Sequence, residues 1–171
     1  MSNPRFASSG KVRVHLLRHA HAGNAFEWIG DDDLRPLTDK GRKQSQRLGE
    51  FLAAHGVRPD VIVSSPLVRA QQTAEIVAGV LDMTIKTDRR LGGGGGFGKH
   101  ELWALLDETG AREVMFVGHD PDLSLLLAYL IDGAGISMKK GALATVDLHT
   151  KLGDGEAELR WLVPPDLLTA G

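Results

Sequence analysis

Short apolar runs alternate along the chain with longer segments whose apolar residues recur at helical spacing. VRVHLL at 12–17, DVIVSS at 60–65 and EVMFVG at 113–118 have the length and branched character of strands buried on both faces. A shorter strand is predicted near 84–87. Between these runs the spacing predicts helices over 39–54, 67–81 and 99–108, and in the second Leu67, Ala70, Ala74, Val77 and Leu81 share one face. Thr38 suits the N-cap of the first helix, and Gly56 suits the left-handed position just past its end. In GHDPDLSLLLAYL, Asp120 is the expected N-cap and Pro121 the first helical residue, where a missing N–H costs nothing. ALATVDLH at 142–149 and AELRWLV at 157–163, joined by the turn-rich TKLGDGE, read as two antiparallel strands.

The predicted order is βαβαβαβαββ. It implies an α/β fold: a single three-layer domain with a mostly parallel sheet, helices on both faces and an antiparallel strand near the C-terminus. The expected organisation is a flexible N-terminal segment over 1–11, the domain over 12–163 and a C-terminal tail over 164–171.

Composition narrows the partners. At 171 residues the chain fits one domain. Twenty Lys plus Arg against twenty-two Asp plus Glu give a formal charge of −2, so no global field draws the protein to nucleic acid or to an anionic membrane. Anion binding must therefore be local. No cysteine is present, which removes disulfides, thiolate nucleophiles and thiolate metal sites and suits a reducing compartment. The opening MSNPRFASSGK lacks a signal-peptide core, and LSLLLAYLI at 123–131 is too short to span a bilayer. A cytoplasmic protein with neither nucleic-acid nor membrane partner is expected.

The unusual residues fall at the ends of the predicted strands. Arg18 and His19 follow the first, Ser64, Ser65 and Arg69 the second, and His119 the strand at 113–118. Ligands of open α/β sheets bind outside the carboxyl ends of the strands, so these distant residues can converge. Two guanidinium forks with one or two imidazoles form a pocket for a compact dianion, and phosphate is the natural candidate. An imidazole there can attack phosphorus in line, because the cationic donors stabilise the equatorial oxygens and no metal or other cofactor is required. Arg18 also disfavours protonation of its neighbour His19.

These residues resemble the histidine phosphatase (phosphoglycerate-mutase-like) superfamily. RHA at 18–20 resembles its RHG signature, SSPLVRAQQTA at 64–74 its second motif and VGHDPDL at 117–123 its third. RPLTDKG at 35–41 is similar to a stretch of the short SixA-type phosphohistidine phosphatase branch, and the resemblance runs over about 12–163. It implies that His19 is the nucleophile, that Arg18, Arg69 and His119 form the phosphate pocket, and that Arg35 adds a contact. The implied reaction is metal-independent phosphoryl removal through phospho-His19, from phosphohistidine in a protein or from a small phosphoester, with inorganic phosphate as product. Asn24 and Ser65 are further substrate-binding candidates, although a loop amide is the default reading of Asn24.

Two departures from the family pattern matter. Alanine replaces glycine at Ala20, and no glutamate lies between Glu75 and Glu101, where larger members carry their general acid. The candidates for an acid are Asp31, Asp32, Asp33, His21 and Asp120. The chain also has no room for a large insertion over the site, so an open pocket is expected. Two other function classes compete: a phosphate-binding module with negligible turnover, and a metal hydrolase built on His19, His21 and His119. Against the latter, Arg18 repels a cation, and a surface-loop histidine is the simpler reading of His21. His15 reads as a sheet residue, Asp120 and Asp122 as helix N-terminal charges, and Trp28, Trp103 and Trp161 as packing groups. The run Gly92–Gly96 can lend N–H groups to a phosphate or form a mobile loop at the pocket edge, and mobility is the favoured reading.

Overall fold

The computed structural model describes residues 10–149 and 157–168. Expectations for the first nine residues, for the turn at 150–156 and for the last three residues lie outside them. The strands are β1 (Lys11–Arg18), β2 (Val61–Ser64), β3 (Ile85–Thr87), β4 (Glu113–Gly118), β5 (Leu143–His149) and β6 (Ala157–Val163). The helices are α1 (Asp39–Ala54), α2 (Val68–Val80), α3 (Lys99–Thr109) and α4 (Asp122–Leu130). Their sequence is the predicted one. They form one sheet in the order β3-β2-β4-β1-β5-β6, with β1 to β4 parallel, β5 antiparallel to β1 and β6 antiparallel to β5.

Alternation along the central strands sends side chains into two cores. Val12, Val14, Leu16, Val114 and Phe116 pack with Leu102 and Leu106 of α3 and Leu123 and Leu127 of α4. Leu17, Ile62, Met115 and Val117 pack on the other face with Leu48 and Leu52 of α1 and Ala74 and Val77 of α2. Leu168, beyond the last strand, joins this second core, so the described part of the expected tail lies against the domain.

Local signals explain both ends of α1. Thr38 is extended and its hydroxyl accepts from Gly41 N–H, and Gly56 adopts φ +67°. Helix α4 departs from expectation. It starts at Asp122, so Pro121 holds the N-cap position rather than the first helical one, and Asp120 lies outside the helix. Two other groups hold the Asp120 carboxylate. It accepts from the Ser124 hydroxyl at 2.8 Å and approaches Arg18 Nη1 at 3.3 Å, which draws the turn toward β1.

His15 is a sheet residue, as expected. Fully buried, it has Nδ1 2.7 Å from the Thr145 hydroxyl on β5 and Nε2 2.9 Å from Glu113 on β4.

Candidate active site

The three chain segments that leave β1, β2 and β4 emerge side by side, because β4 pairs in parallel with both neighbours. Arg18 is level with Gly118, and Ser64 with Val117. The ladder continues one residue further: His19 N–H donates to Gly118 O at 3.0 Å, and Ser65 N–H to Val117 O at 2.9 Å. His19 and His119 are thereby brought together, with ring centroids 5.2 Å apart. The next residue is held too, since Ala20 N–H donates to the Thr73 hydroxyl on α2.

Nδ1 of His19 lies 2.8 Å from the carbonyl oxygen of its neighbour Ala20. A carbonyl can only accept, so Nδ1 carries the proton and donates, which leaves Nε2 with its lone pair. Burial pushes this imidazole down to about 3, and His119, Arg69 and Arg18 push the same way against the bond to Ala20. His119 falls to about 4, again chiefly by burial and then by Arg69 and Arg18, opposed by Asp122 and Asp32. Both rings are neutral at pH 7.

Around them lies a cavity of about 270 Å³, lined by Arg18, His19, Arg35, Arg69, His119, Asp120, Lys140 and the backbone of Gly92 to Gly94. A larger cleft, about 500 Å³, opens at the amino ends of β2 to β4 beside Asp60, Asp82 and Lys86. It lacks a comparable cluster of cations.

Each guanidinium in the site is fixed by some of its donors. Arg18 Nη1 donates to Met138 O at 2.5 Å. Arg69 Nη1 donates to Asp32 O at 2.7 Å, and its Nη2 approaches the Asp32 carboxylate at 3.2 Å. Arg35 donates to Ala22 O and, through Nε, to Asp32. The Nε atoms of Arg18 and Arg69 are buried without a hydrogen-bond partner among the described residues. Such donors favour an anion with oxygens to accept them.

Ser65 does not line the cavity. Its hydroxyl is 2.7 Å from His119 Nε2 and also accepts from Leu67 N–H, so it orients the imidazole. Asn24 is not brought in either, for its side-chain oxygen accepts from Phe26 N–H on the exposed loop after β1. Among the five acid candidates, Asp120 alone lines the cavity. Asp32 sits between Arg35 and Arg69, and its bond from Arg35 holds its carboxyl below the usual range. Asp31 and Asp33 are exposed, and His21 turns its Nδ1 to the Thr38 hydroxyl at 2.8 Å. Among the described residues no group of three His, Cys, Asp or Glu side chains is placed to hold a metal ion.

Comparison with known proteins agrees with this geometry. The histidine phosphatase superfamily (branch 1) matches residues 14–93. An uncharacterized protein of Picosynechococcus sp. is 30% identical over 169 residues, covering 90% of this chain and all of the relative. The chain belongs to the histidine phosphatase superfamily. Within it, the chain falls in the short SixA-type branch and is a phosphatase. The phosphohistidine phosphatase SixA of Escherichia coli is 28% identical, covering 90% of this chain and 94% of its own length. A structure of the protein histidine phosphatase SixA complexed with tungstate superposes with a TM-score of 0.78 at 28% identity, covering 92% of this chain and all of the other.

In this histidine phosphatase two site residues escaped the sequence reading. Lys140 lines the cavity and donates to Gly23 O, and burial followed by Arg18, Arg35 and Arg69 holds its ammonium below the usual lysine range. Its signal was the KKG before an antiparallel strand, since such a strand must begin at the edge where β1 ends. Asp122 is buried and accepts from Gly95 N–H at 2.8 Å and Phe97 N–H at 3.1 Å, so the glycine run is held at two points. Gly93 has φ +86°, and a Cβ there would come within 3.3 Å of the His119 Cβ. The left-handed backbone favours glycine there, and the close approach to that ring adds to the preference.

Proposed function

We propose that this phosphatase removes the phosphoryl group from phosphohistidine in a protein through a covalent intermediate on His19. The Nδ1–H donation of His19 to Ala20 O carries the reading, because it aims a neutral nucleophilic nitrogen at the point where Arg18, Arg69 and His119 converge.

Nε2 of His19 attacks phosphorus in line, and the P–N bond of the substrate breaks as its imidazole, protonated on the other nitrogen, leaves neutral. The charge on the equatorial oxygens meets donors from Arg18 and Arg69, with Arg35 and Lys140 adding positive charge at the same cavity. Water then attacks phospho-His19, and the P–Nε2 bond breaks to give inorganic phosphate and the starting enzyme. Asp120 is the carboxylate for this second step. It makes its contacts with Arg18 and Ser124 as an acceptor, which suits receiving a proton from water and then releasing it to solvent to restore the starting carboxylate.

A leaving imidazole that is already protonated needs no strong acid, which agrees with a cavity holding no other carboxylate. The glycine edge raises no side chains against a phosphohistidine carried on a protein surface. SixA, the neighbour complexed with tungstate, is described as a protein histidine phosphatase, and its likeness supports the same substrate class.

Phosphate release in EDTA from a phosphohistidine-bearing protein and from p-nitrophenyl phosphate, for wild type and His19→Ala, tests the proposal. Faster release from phosphohistidine, unchanged by EDTA, inhibited by vanadate and lowered at least about a thousandfold in the variant, is expected. Wild-type rates in His19→Ala remove the nucleophile assignment. Preference for the ester moves the substrate to small phosphoesters.

A further inference from the structure

The exposed apolar side chains are not scattered evenly over the described surface. Phe26, Trp28, Ile29 and Leu34 lie on the single loop that joins β1 to α1, with Phe26 99% and Ile29 94% exposed. Isolated exposed apolar residues are ordinary, but several on one short loop mark a surface kept for a partner. The loop is internally braced: Asn24 accepts from Phe26 N–H, the Trp28 indole donates to Asp31 O, and the Asp31 carboxylate accepts from Asp33 N–H.

Its far end is part of the catalytic site. The Asp32 carbonyl receives Arg69 Nη1, and the Asp32 carboxylate pairs with both Arg35 and Arg69. The loop that carries the apolar residues is therefore tied, through Asp32, to two arginines that line the phosphate pocket. Glu27, Asp31 and Asp33 are exposed beside the apolar residues. A complementary surface carries an apolar side chain flanked by basic ones. This acidic border opposes an anionic bilayer. A free phosphoamino acid is too small to fill the pocket and also cover Phe26 and Ile29.

We propose that the β1–α1 loop is the docking surface for the protein that carries the phosphoryl group: Phe26 and Ile29 take an apolar side chain of that protein, and the acidic residues meet its basic flank, while its phosphohistidine enters the pocket. The inference rests on the phosphohistidine phosphatase reading and adds where its protein substrate is gripped.

The test compares wild type with Phe26→Ser/Ile29→Ser, neither residue lining the catalytic cavity. Both enzymes act on free phosphohistidine and on a panel of folded proteins phosphorylated on a surface histidine by phosphoramidate. Expected is a wild-type kcat/KM at least about a hundredfold higher for one of the proteins than for free phosphohistidine. In the variant that advantage falls about tenfold or more, mainly in KM, while free phosphohistidine turns over within about twofold of wild type. Added salt weakens turnover of the protein and leaves that of the free phosphoamino acid nearly unchanged. Equal loss on both probes makes the loop part of the catalytic scaffold and overturns the proposal. So does wild-type activity on free phosphohistidine with no protein of the panel turned over faster, although the phosphatase reading then stands. Release from neither probe removes both. Cosedimentation of wild type, but not of the variant, with phosphatidylcholine–phosphatidylglycerol vesicles assigns the loop to a membrane instead.

Discussion

At the residue scale the site is organised by one proton. Ala20 O places it on Nδ1 of His19, and burial keeps a second proton off the ring. The depressed values have a definite sign. Unfolded imidazoles take a proton near 6.5, whereas His19 and His119 resist it down to about 3 and about 4. Their contribution to stability is complete above pH 6.5 and is lost as pH falls through that window. Ring-resonance titration by NMR is expected to leave both rings unprotonated from pH 8 to pH 5, and an inflection near 6.5 in either would contradict the burial argument. The convergence of Arg18, His19, Arg69 and His119 was legible in the sequence because Arg18, His19 and His119 stand at the ends of strands whose pattern is plain and Arg69 opens the helix after β2. Ser65 was legible as a residue but not in its part, since its bond to His119 is made across two strands. Asp122 was read only as a helix-end charge, and nothing local shows that the glycine run returns to it.

At the element scale the turn after β1, which carries the proposed nucleophile, depends on how closely α1 approaches it. A Cβ on Gly41, in the first turn of α1, would overlap the His21 carbonyl oxygen, and Thr38 binds that same oxygen through its N–H and hydroxyl. Gly41→Ala must therefore push α1 away from residues 19–22. It is expected to cost about 1–3 kcal/mol in denaturant unfolding and to lower kcat/KM more than an exposed helix change such as Lys43→Ala. Equal activity in the two variants would separate α1 from the catalytic turn. The helix itself was readable from Thr38 and Gly56, whereas this close approach was not, because helical spacing reports which face is apolar and not how near another backbone runs. The start of α4 failed for a related reason. Asp120 looked like a cap in its own segment, but its carboxylate answers to Ser124 and to Arg18 on another strand.

At the scale of the whole molecule, the element order and the mostly parallel sheet with helices on both faces follow from patterning, whereas the strand order β3-β2-β4-β1-β5-β6 is set by packing that the pattern does not report. The antiparallel end of the sheet carries its own electrostatic clamp. Asp147 on β5 is buried and receives Arg13 Nε at 2.8 Å and Lys11 Nζ at 3.1 Å from β1. The Arg13 bond, more than any other influence, lowers this carboxyl to about 2. A depressed acid stabilises the fold above its unfolded pKa, here 3.8, and loses that effect as pH falls through 2. Asp147→Asn is expected to unfold about 1–3 kcal/mol more easily at pH 7 and to show a flatter stability profile between pH 4 and pH 2. Identical profiles would mean that β1 and β5 hold together without the clamp. Finally, His19 and His119 meet only after the chain between them has supplied three strands and three helices, and β1 has paired with β4. Such long-range parallel pairing forms late and slowly. On the proposed mechanism an intermediate lacking that pairing leaves His19 and His119 apart, so recovery of catalysis during refolding is expected to report completion of the central sheet, and a half-made chain is expected to strip phosphate from nothing it encounters.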